Sequence, residues 1–234
     1  MFMTWIKICG ITNLEDALTA VNAGADALGF VFYEKSPRKI DPEAAREIVG
    51  QLPPQVEKVG VFVNDATERI DDIASSVGLT AVQFYGDEGV SSRHTARDLS
   101  ARLACNFFFV VPVSRLSGEQ KRLGRFGPRT DRPKLADAIF VDAIFVDSGA
   151  AQQPGGTGKP FDWKENATAI SMLVQDVNVV VAGGLTPTNV TEAIRILKPW
   201  GVDVASGVEA RPGKKDPEKI YAFVAAVRIA EKNR

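Results

Sequence analysis

The stretch Gly24-Ala25-Asp26-Ala27-Leu28-Gly29-Phe30-Val31-Phe32 ends in six apolar or small residues, 27–32, with no polar residue between them. A strand with one wet face alternates apolar and polar residues. A continuous run marks a parallel strand covered on both faces. Gly24, just before it, suits the C-terminal stop of a helix. Asn13 suits that helix's N-cap, with Glu15 and Asp16 in the first turn and the helix running through Ala23. Beyond the strand, Asp41-Pro42-Glu43 opens a second helix with Pro at its first position. Helix, buried strand, helix is the unit of a parallel α/β fold.

The unit recurs along the chain. Similar runs occupy residues 5–9, 58–63, 81–84, 107–113, 138–146, 178–182 and 202–205. Helical patterns cover 67–77 and 187–197, and a last helix opens at Asp216-Pro217-Glu218 and runs to about Glu231. Eight strand signals predict a closed (βα)8 barrel, a TIM barrel, formed by a single domain over 1–234. A doubly wound open sheet is the alternative. Residues 114–135, rich in Gly, Pro and Arg, predict a loop with a short helix. Residues 138–142 and 143–147 both read AIFVD. Five is odd, so successive copies on one strand face opposite ways, and one Asp at most takes a given functional place.

Composition narrows the function. The chain has 234 residues, 45% of them apolar, and a net charge of −1. The charge argues against a nucleic-acid or membrane binder, because those carry basic clusters. No apolar stretch approaches the roughly 20 residues that span a bilayer, and residues 1–12 lack a secretory pattern. The two cysteines, Cys9 and Cys105, make neither a disulfide framework nor a metal cluster. A cytoplasmic chain with reduced thiols is expected. A single histidine, His94, excludes a site built on several His ligands.

In such barrels the chemistry sits at the C-terminal ends of the strands. Cys9 is at the end of strand 1, Arg38 follows strand 2, and Asp147 ends strand 6. Gly183-Gly184 and Ser206-Gly207 follow strands 7 and 8, where backbone N–H groups can approach a phosphate closely. Ordinary tight turns are the alternative there. Gly155-Gly156-Thr157-Gly158-Lys159 lacks the spacing of a nucleotide P-loop and reads as a mobile loop that closes over a ligand. A thiol titrates at about 8.5, within reach of a general base in a positive site. A carboxyl in an enclosed pocket holds its proton and can donate it. Cys9 and Asp147 thus make a base and an acid. Each also reads as something plainer, Cys9 as a small buried residue and Asp147 as the cap of a turn.

The motifs KICGIT, GADALGFVFYEKSPRKI, VGVFVN, PGGTGKPFDW, AGGLTPTNVTEAI and GVDVASGVEARPGKKDPEKI, in this order, span nearly the whole chain. Together they resemble the phosphoribosylanthranilate isomerases of tryptophan biosynthesis. The resemblance implies a (βα)8 barrel that performs an Amadori rearrangement of a phosphorylated small molecule, with no metal and no cofactor. It implies Asp147 as general acid and Cys9 as general base. Arg38 would meet the anthranilate carboxylate, a task that suits a guanidinium fork, and Gly183, Gly184, Ser206 and Gly207 would hold the phosphate. A monomer and a homodimer are both compatible with it.

The chain departs from the family in two places. Gln83-Phe84-Tyr85-Gly86 puts Tyr85 where the family usually has a histidine, and a change in substrate affinity is expected. His94 lies in helical sequence and is expected on the surface. The doubled AIFVD leaves Asp142 as an alternative acid, but Asp142 is too early in the strand. Three other readings remain. A histidine-pathway isomerase barrel would place Asp where Cys9 stands. Indole-glycerol-phosphate synthase needs a catalytic lysine at a strand end, and Lys7 is two residues short of one. A phosphate-binding barrel without turnover has Tyr85 alone in its favour.

Overall fold

The computed structural model describes residues 3–86, 95, 96, 98, 99, 102, 105–116, 126–128, 139–149 and 160–232. Eight strands, β1 Trp5–Cys9, β2 Ala27–Val31, β3 Glu57–Val63, β4 Ala81–Tyr85, β5 Asn106–Pro112, β6 Ala143–Asp147, β7 Val179–Val181 and β8 Gly201–Val204, close into a barrel. Every neighbouring pair is parallel, and β8 returns to β1 with Trp5 opposite Gly201 and Lys7 opposite Asp203. Closure disposes of the open-sheet alternative.

Helices α1 Leu14–Ala23, α2 Pro42–Val49, α3 Thr67–Val77, α4 Trp163–Leu173, α5 Val190–Leu197 and α6 Pro217–Lys232 lie between and after the strands. Residues 95, 96, 98, 99 and 102, between β4 and β5, are also helical. The caps form as the residue types dictate. The Asn13 side chain accepts the Asp16 N–H at 2.9 Å, and Gly24 takes the left-handed conformation at φ 99°. Asp41 accepts the Glu43 N–H at 2.9 Å ahead of Pro42.

Two expectations need correction. The run at 138–146 is two strands. Asp142 breaks it by turning its side chain to accept the Phe107 N–H at 2.7 Å, while Ile139–Val141 pairs with Phe126–Pro128 in a separate two-stranded parallel ladder. The helix expected from 187 begins at Val190, because the Asn189 side chain accepts the Thr186 N–H at 2.8 Å and folds residues 186–189 into a turn that contains Pro187. Of the segment 114–135, expected as a loop with a short helix, the described residues show the end of a 3-10 turn, Val113–Arg115, and the strand Phe126–Pro128; the rest lies outside the described residues.

Alternation along each strand sorts the side chains. Ile6, Ile8, Leu28, Phe30, Phe62 and Phe84 point outward into the core shared with the helices. Ala27, Val59, Ala81, Phe108, Val110, Ala143, Phe145 and Val180 fill the barrel interior. At the N-terminal end Trp5 stacks on Trp200 at 5.1 Å and meets Phe108 and Phe145 edge-on. This aromatic floor seals one end. Polar groups therefore gather towards the other, where Lys7, Asp203, Cys9, Tyr85 and Asp147 share the interior. Among the described residues no helix is long and apolar enough to cross a membrane.

Candidate active site

On β1 the inward positions are Trp5, Lys7 and Cys9. Lys7 is fully buried, yet its Nζ reaches Asp203 Oδ1 at 2.9 Å, and the two are register partners on β1 and β8. The ammonium also stands 5.3 Å from the centre of the Phe145 ring. A Cβ on Gly29 would come 2.7 Å from Cys9 Sγ and 3.0 Å from Lys7 Cε. Glycine on β2 thus leaves the space that thiol and lysine stem occupy together.

Burial pushes the Cys9 thiol up, and the Lys7 ammonium, then Lys215, pull against that shift. For Lys7 itself, burial favours the neutral amine, but the Asp203 carboxylate and Cys9 outweigh burial and hold its pKa above the ordinary lysine value. The thiol therefore lies beside an ammonium held in its charged form, while burial and the Asp203 carboxylate keep its own pKa above the ordinary value.

Asp147 ends β6 inside the barrel and is 5% exposed. Burial raises its pKa. The Gly149 N–H at 2.8 Å on Oδ1 and the Tyr85 hydroxyl at 3.1 Å on Oδ2 partly offset that rise. Asp142 lies at the opposite end of the same strand with its carboxyl on the Phe107 backbone. The two copies of AIFVD are thereby told apart, and the Asp at the mouth is Asp147.

Arg38 enters from the loop after β2. Gly10, at φ 78°, lets it pass: a Cβ there would sit 2.6 Å from Arg38 Cδ. Glu209 grips the guanidinium with two parallel bonds, Nε at 2.9 Å and Nη2 at 2.8 Å. Lys215 donates to the same carboxylate at 3.1 Å. Burial acts to raise the Glu209 pKa, but the hydrogen bond from Arg38 and the charge of Lys215 hold it below the ordinary glutamate value. One edge of the Arg38 fork is thus taken, and among the described residues no hydrogen bond engages Nη1.

The glycine loops meet above β6, β7 and β8. Gly183 and Gly184 have φ 80° and 67°. A Cβ on Gly183 would strike the Ser148 side chain, and one on Gly207 would strike the Leu185 carbonyl. Asn189 Nδ2 braces the loop on the Gly184 carbonyl at 3.0 Å. Ser206 and Gly207 lie in a single 3-10 turn, Ser206–Val208. The loop at 155–159 and His94 lie outside the described residues.

The structure brings Cys9 and Asp147 into one barrel mouth, with Arg38 beside Cys9 at Gly10 and the four phosphate candidates in the adjoining loops. Sequence reasoning missed Asp203, Glu209, Lys215 and the Tyr85–Asp147 bond. Lys7 shares the face of Cys9 by strand period, a legible signal. Its partner is 196 residues away, and that of Arg38 is 171 away. A cavity of about 810 Å³ opens on the opposite side of the aromatic floor, beside Trp200, Arg195 and Lys198. None of the groups above lines it.

Residues 6–226 match the family model of N-(5'phosphoribosyl)anthranilate (PRA) isomerase. The chain belongs to this family. The N-(5'-phosphoribosyl)anthranilate isomerase of Citrifermentans bemidjiense is 42% identical over 226 residues, 97% of this chain and 98% of that protein. The crystal structure of the Thermotoga maritima phosphoribosylanthranilate isomerase is 41% identical, with a TM-score of 0.79 over 97% of this chain and 99% of that one. A further crystal structure of the family, 40% identical with a TM-score of 0.76 over 97% and 99%, was solved in complex with reduced 1-(o-carboxyphenylamino)-1-deoxyribulose 5-phosphate. The chain is an isomerase of tryptophan biosynthesis with a TIM-barrel fold.

Proposed function

We propose that the chain converts N-(5'-phosphoribosyl)anthranilate to 1-(2-carboxyphenylamino)-1-deoxyribulose 5-phosphate by general acid–base catalysis, with Asp147 as acid and Cys9 as base. The observation that carries this reading is the placement of a buried thiol beside a buried ammonium and, in the same mouth, a buried carboxyl whose pKa is raised.

Asp147 gives its proton to the ribose ring oxygen as the C1′–O bond breaks. The anthranilate nitrogen supplies the electron pair that makes C1′=N⁺. The Cys9 thiolate takes the C2′ proton, and its electrons neutralise the iminium to an enolamine. Tautomerisation moves the enol proton to C1′ and leaves the ketone. Each step needs one proton at one place, which the two residues hold without a metal or cofactor. Arg38, aligned by Glu209, meets the anthranilate carboxylate. Gly183, Gly184, Ser206 and Gly207 receive the phosphate on backbone N–H groups.

The test is the fluorescence decay of phosphoribosylanthranilate, made in situ, with wild type and Cys9→Ala. Rapid loss with wild type only is expected. Equal loss with both removes Cys9 from the role of base. No loss with folded wild type overturns the reaction itself.

A further inference from the structure

Tyr85 ends β4 and faces inward, and its hydroxyl reaches over β5 to Asp147 on β6, two strands away. The carboxyl is thereby anchored twice, through Oδ1 by the Gly149 N–H at 2.8 Å and through Oδ2 by Tyr85 Oη at 3.1 Å. Behind Tyr85 stands Gln83, fully buried, with Nε2 3.4 Å from the same hydroxyl. Its other amide atom, Oε1, is buried with no partner among the described residues. Among the described residues, the other charged or titratable groups facing the pair are Lys7 on β1, which acts on Asp147, Cys9 on β1, which acts on Tyr85, and Asp203 on β8, which acts on both. The remaining inward side chains of β2, β3, β5 and β7 near the pair are apolar or glycine, while Glu57 on β3 and Asn106 on β5, hydrogen-bonded to each other, start their strands at the other end of the barrel.

We propose that Tyr85 is the positioning residue of Asp147, and that the chain Gln83–Tyr85–Asp147 reverses its hydrogen-bond direction when the carboxyl gains or loses its proton. The proposal rests on the acid role assigned above. An ionised carboxylate only accepts, so Tyr85 donates to it and accepts from Gln83 Nε2. A carboxylic acid with its proton on Oδ2 is a donor, and the Tyr85 proton then points at another proton. Rotation of the phenol hydroxyl relieves this, provided the hydroxyl finds a new acceptor. Among the described residues, the acceptor beside it that lacks a partner is Gln83 Oε1, brought round by half a turn of a broad two-fold torsion. An acceptor that is orphaned with the carboxylate is satisfied with the acid, which accounts for a buried, half-used glutamine. No proton passes between the three side chains; only hydroxyl and amide rotate. When Asp147 gives its proton to substrate, Tyr85 swings back and donates to the new carboxylate.

The test is a pH titration by NMR of protein labelled with ¹³C at aspartate carboxyls and ¹⁵N at glutamine amides. Asp147→Asn and Gln83→Met serve only to assign the resonances. In wild type the Gln83 amide is expected to shift with the same midpoint as the Asp147 carboxyl. In Tyr85→Phe the Asp147 midpoint is expected to rise by about one unit, since a charged acceptor has lost its donor, and the Gln83 amide stops responding to it. Tyr85→His, which keeps an N–H donor, returns the midpoint towards wild type. A Gln83 amide blind to the Asp147 midpoint in wild type overturns the switch whether or not any variant folds. An unmoved Asp147 midpoint in folded Tyr85→Phe overturns the positioning role. The titration needs no turnover, so a failure of the isomerase reaction is seen separately in the fluorescence assay.

Discussion

Replacing Lys7 by methionine separates two consequences of one buried charge. The side chains of Lys7 and Asp203 are 0% and 8% exposed and 2.9 Å apart. Lys7→Met keeps the volume of the stem and leaves the Asp203 carboxylate buried without its partner. Removing one member of a buried pair costs about 3–5 kcal/mol. A native domain has about 5–15 kcal/mol in total, so the variant folds with little margin. At roughly 2–4 °C per kcal/mol for a chain of this size, Tm falls by about 6–20 °C. Lys7→Met/Asp203→Leu removes both charges and returns most of that loss, because an apolar pair of similar volume is often as stable as a buried ion pair. The effect on Cys9 is different in kind. Its thiol loses the ammonium that opposes burial, so its pKa rises in the single variant, and by less in the double variant, which also removes the Asp203 carboxylate that pushes the thiol up. Each unit of rise leaves about tenfold less thiolate at neutral pH. Calorimetry gives the first quantity, and the pH dependence of Cys9 alkylation in a Cys105→Ser background gives the second. The linkage sign is also fixed. Folding raises the Lys7 pKa, so the contribution of Lys7 is full below about pH 10.4 and is lost as pH climbs through the native value. Wild type therefore loses stability in strong alkali where Lys7→Met does not. A Lys7→Met protein as stable as wild type, or one whose thiol titrates at the same pH or lower, refutes the reasoning.

Three further outcomes are expected. Asp147→Asn lowers kcat by about 10²–10⁴-fold, whereas Asp142→Asn keeps near-normal turnover, since the amide oxygen can still accept the Phe107 N–H; steady-state kinetics of the two variants compare the copies directly. Gly207→Ala drives its methyl into the Leu185 carbonyl and should raise KM by about tenfold or more at a stability cost of about 1–3 kcal/mol, read from kinetics and thermal melts; an unchanged KM removes this loop from the phosphate site. Glu209→Gln frees Arg38 and leaves it and Lys215 less neutralised, so KM rises more than kcat falls. Because the native Glu209 pKa is depressed, wild type keeps this contribution above the ordinary glutamate value of about 4.3 and loses it as pH falls through the native one, so the variant's acid-denaturation curve is flatter there.

The strands were legible because burial on both faces removes polar residues from the run, as in 27–32 and 59–63. Helix ends were legible where a side chain caps its own turn, at Asn13 and Asp41. The failures have a common cause in pairing. Asp142 looks like one more strand residue until its carboxyl finds the Phe107 N–H from another strand. Pro187 looks like a first helical residue until Asn189 closes a turn around it. The same holds at the site. Cys9, Asp147 and Lys7 face the barrel by simple period. That Arg38 is clamped by Glu209, and that Tyr85 reaches Asp147, depends on closing the barrel, which brings β1 against β8 and lets β4 reach across to β6.

The repeated AIFVD has one more consequence. Asp137 precedes the first copy as Asp142 precedes the second, so residues 137–147 read DAIFVDAIFVD. Sliding this segment by five residues replaces every side chain in the β6 groove by its own duplicate, including the carboxyl at each end. Most strands are protected from sliding because a wrong alignment buries the wrong residues. Here the groove itself is blind to the error. Selection of the native alignment falls to what lies outside the groove, the ladder of Ile139–Val141 with Phe126–Pro128 and the connections on either side, one shortened and one lengthened by the slide. During folding this barrel must choose between two threadings of equal local quality, and the chain carries a spare copy of the strand that holds Asp147.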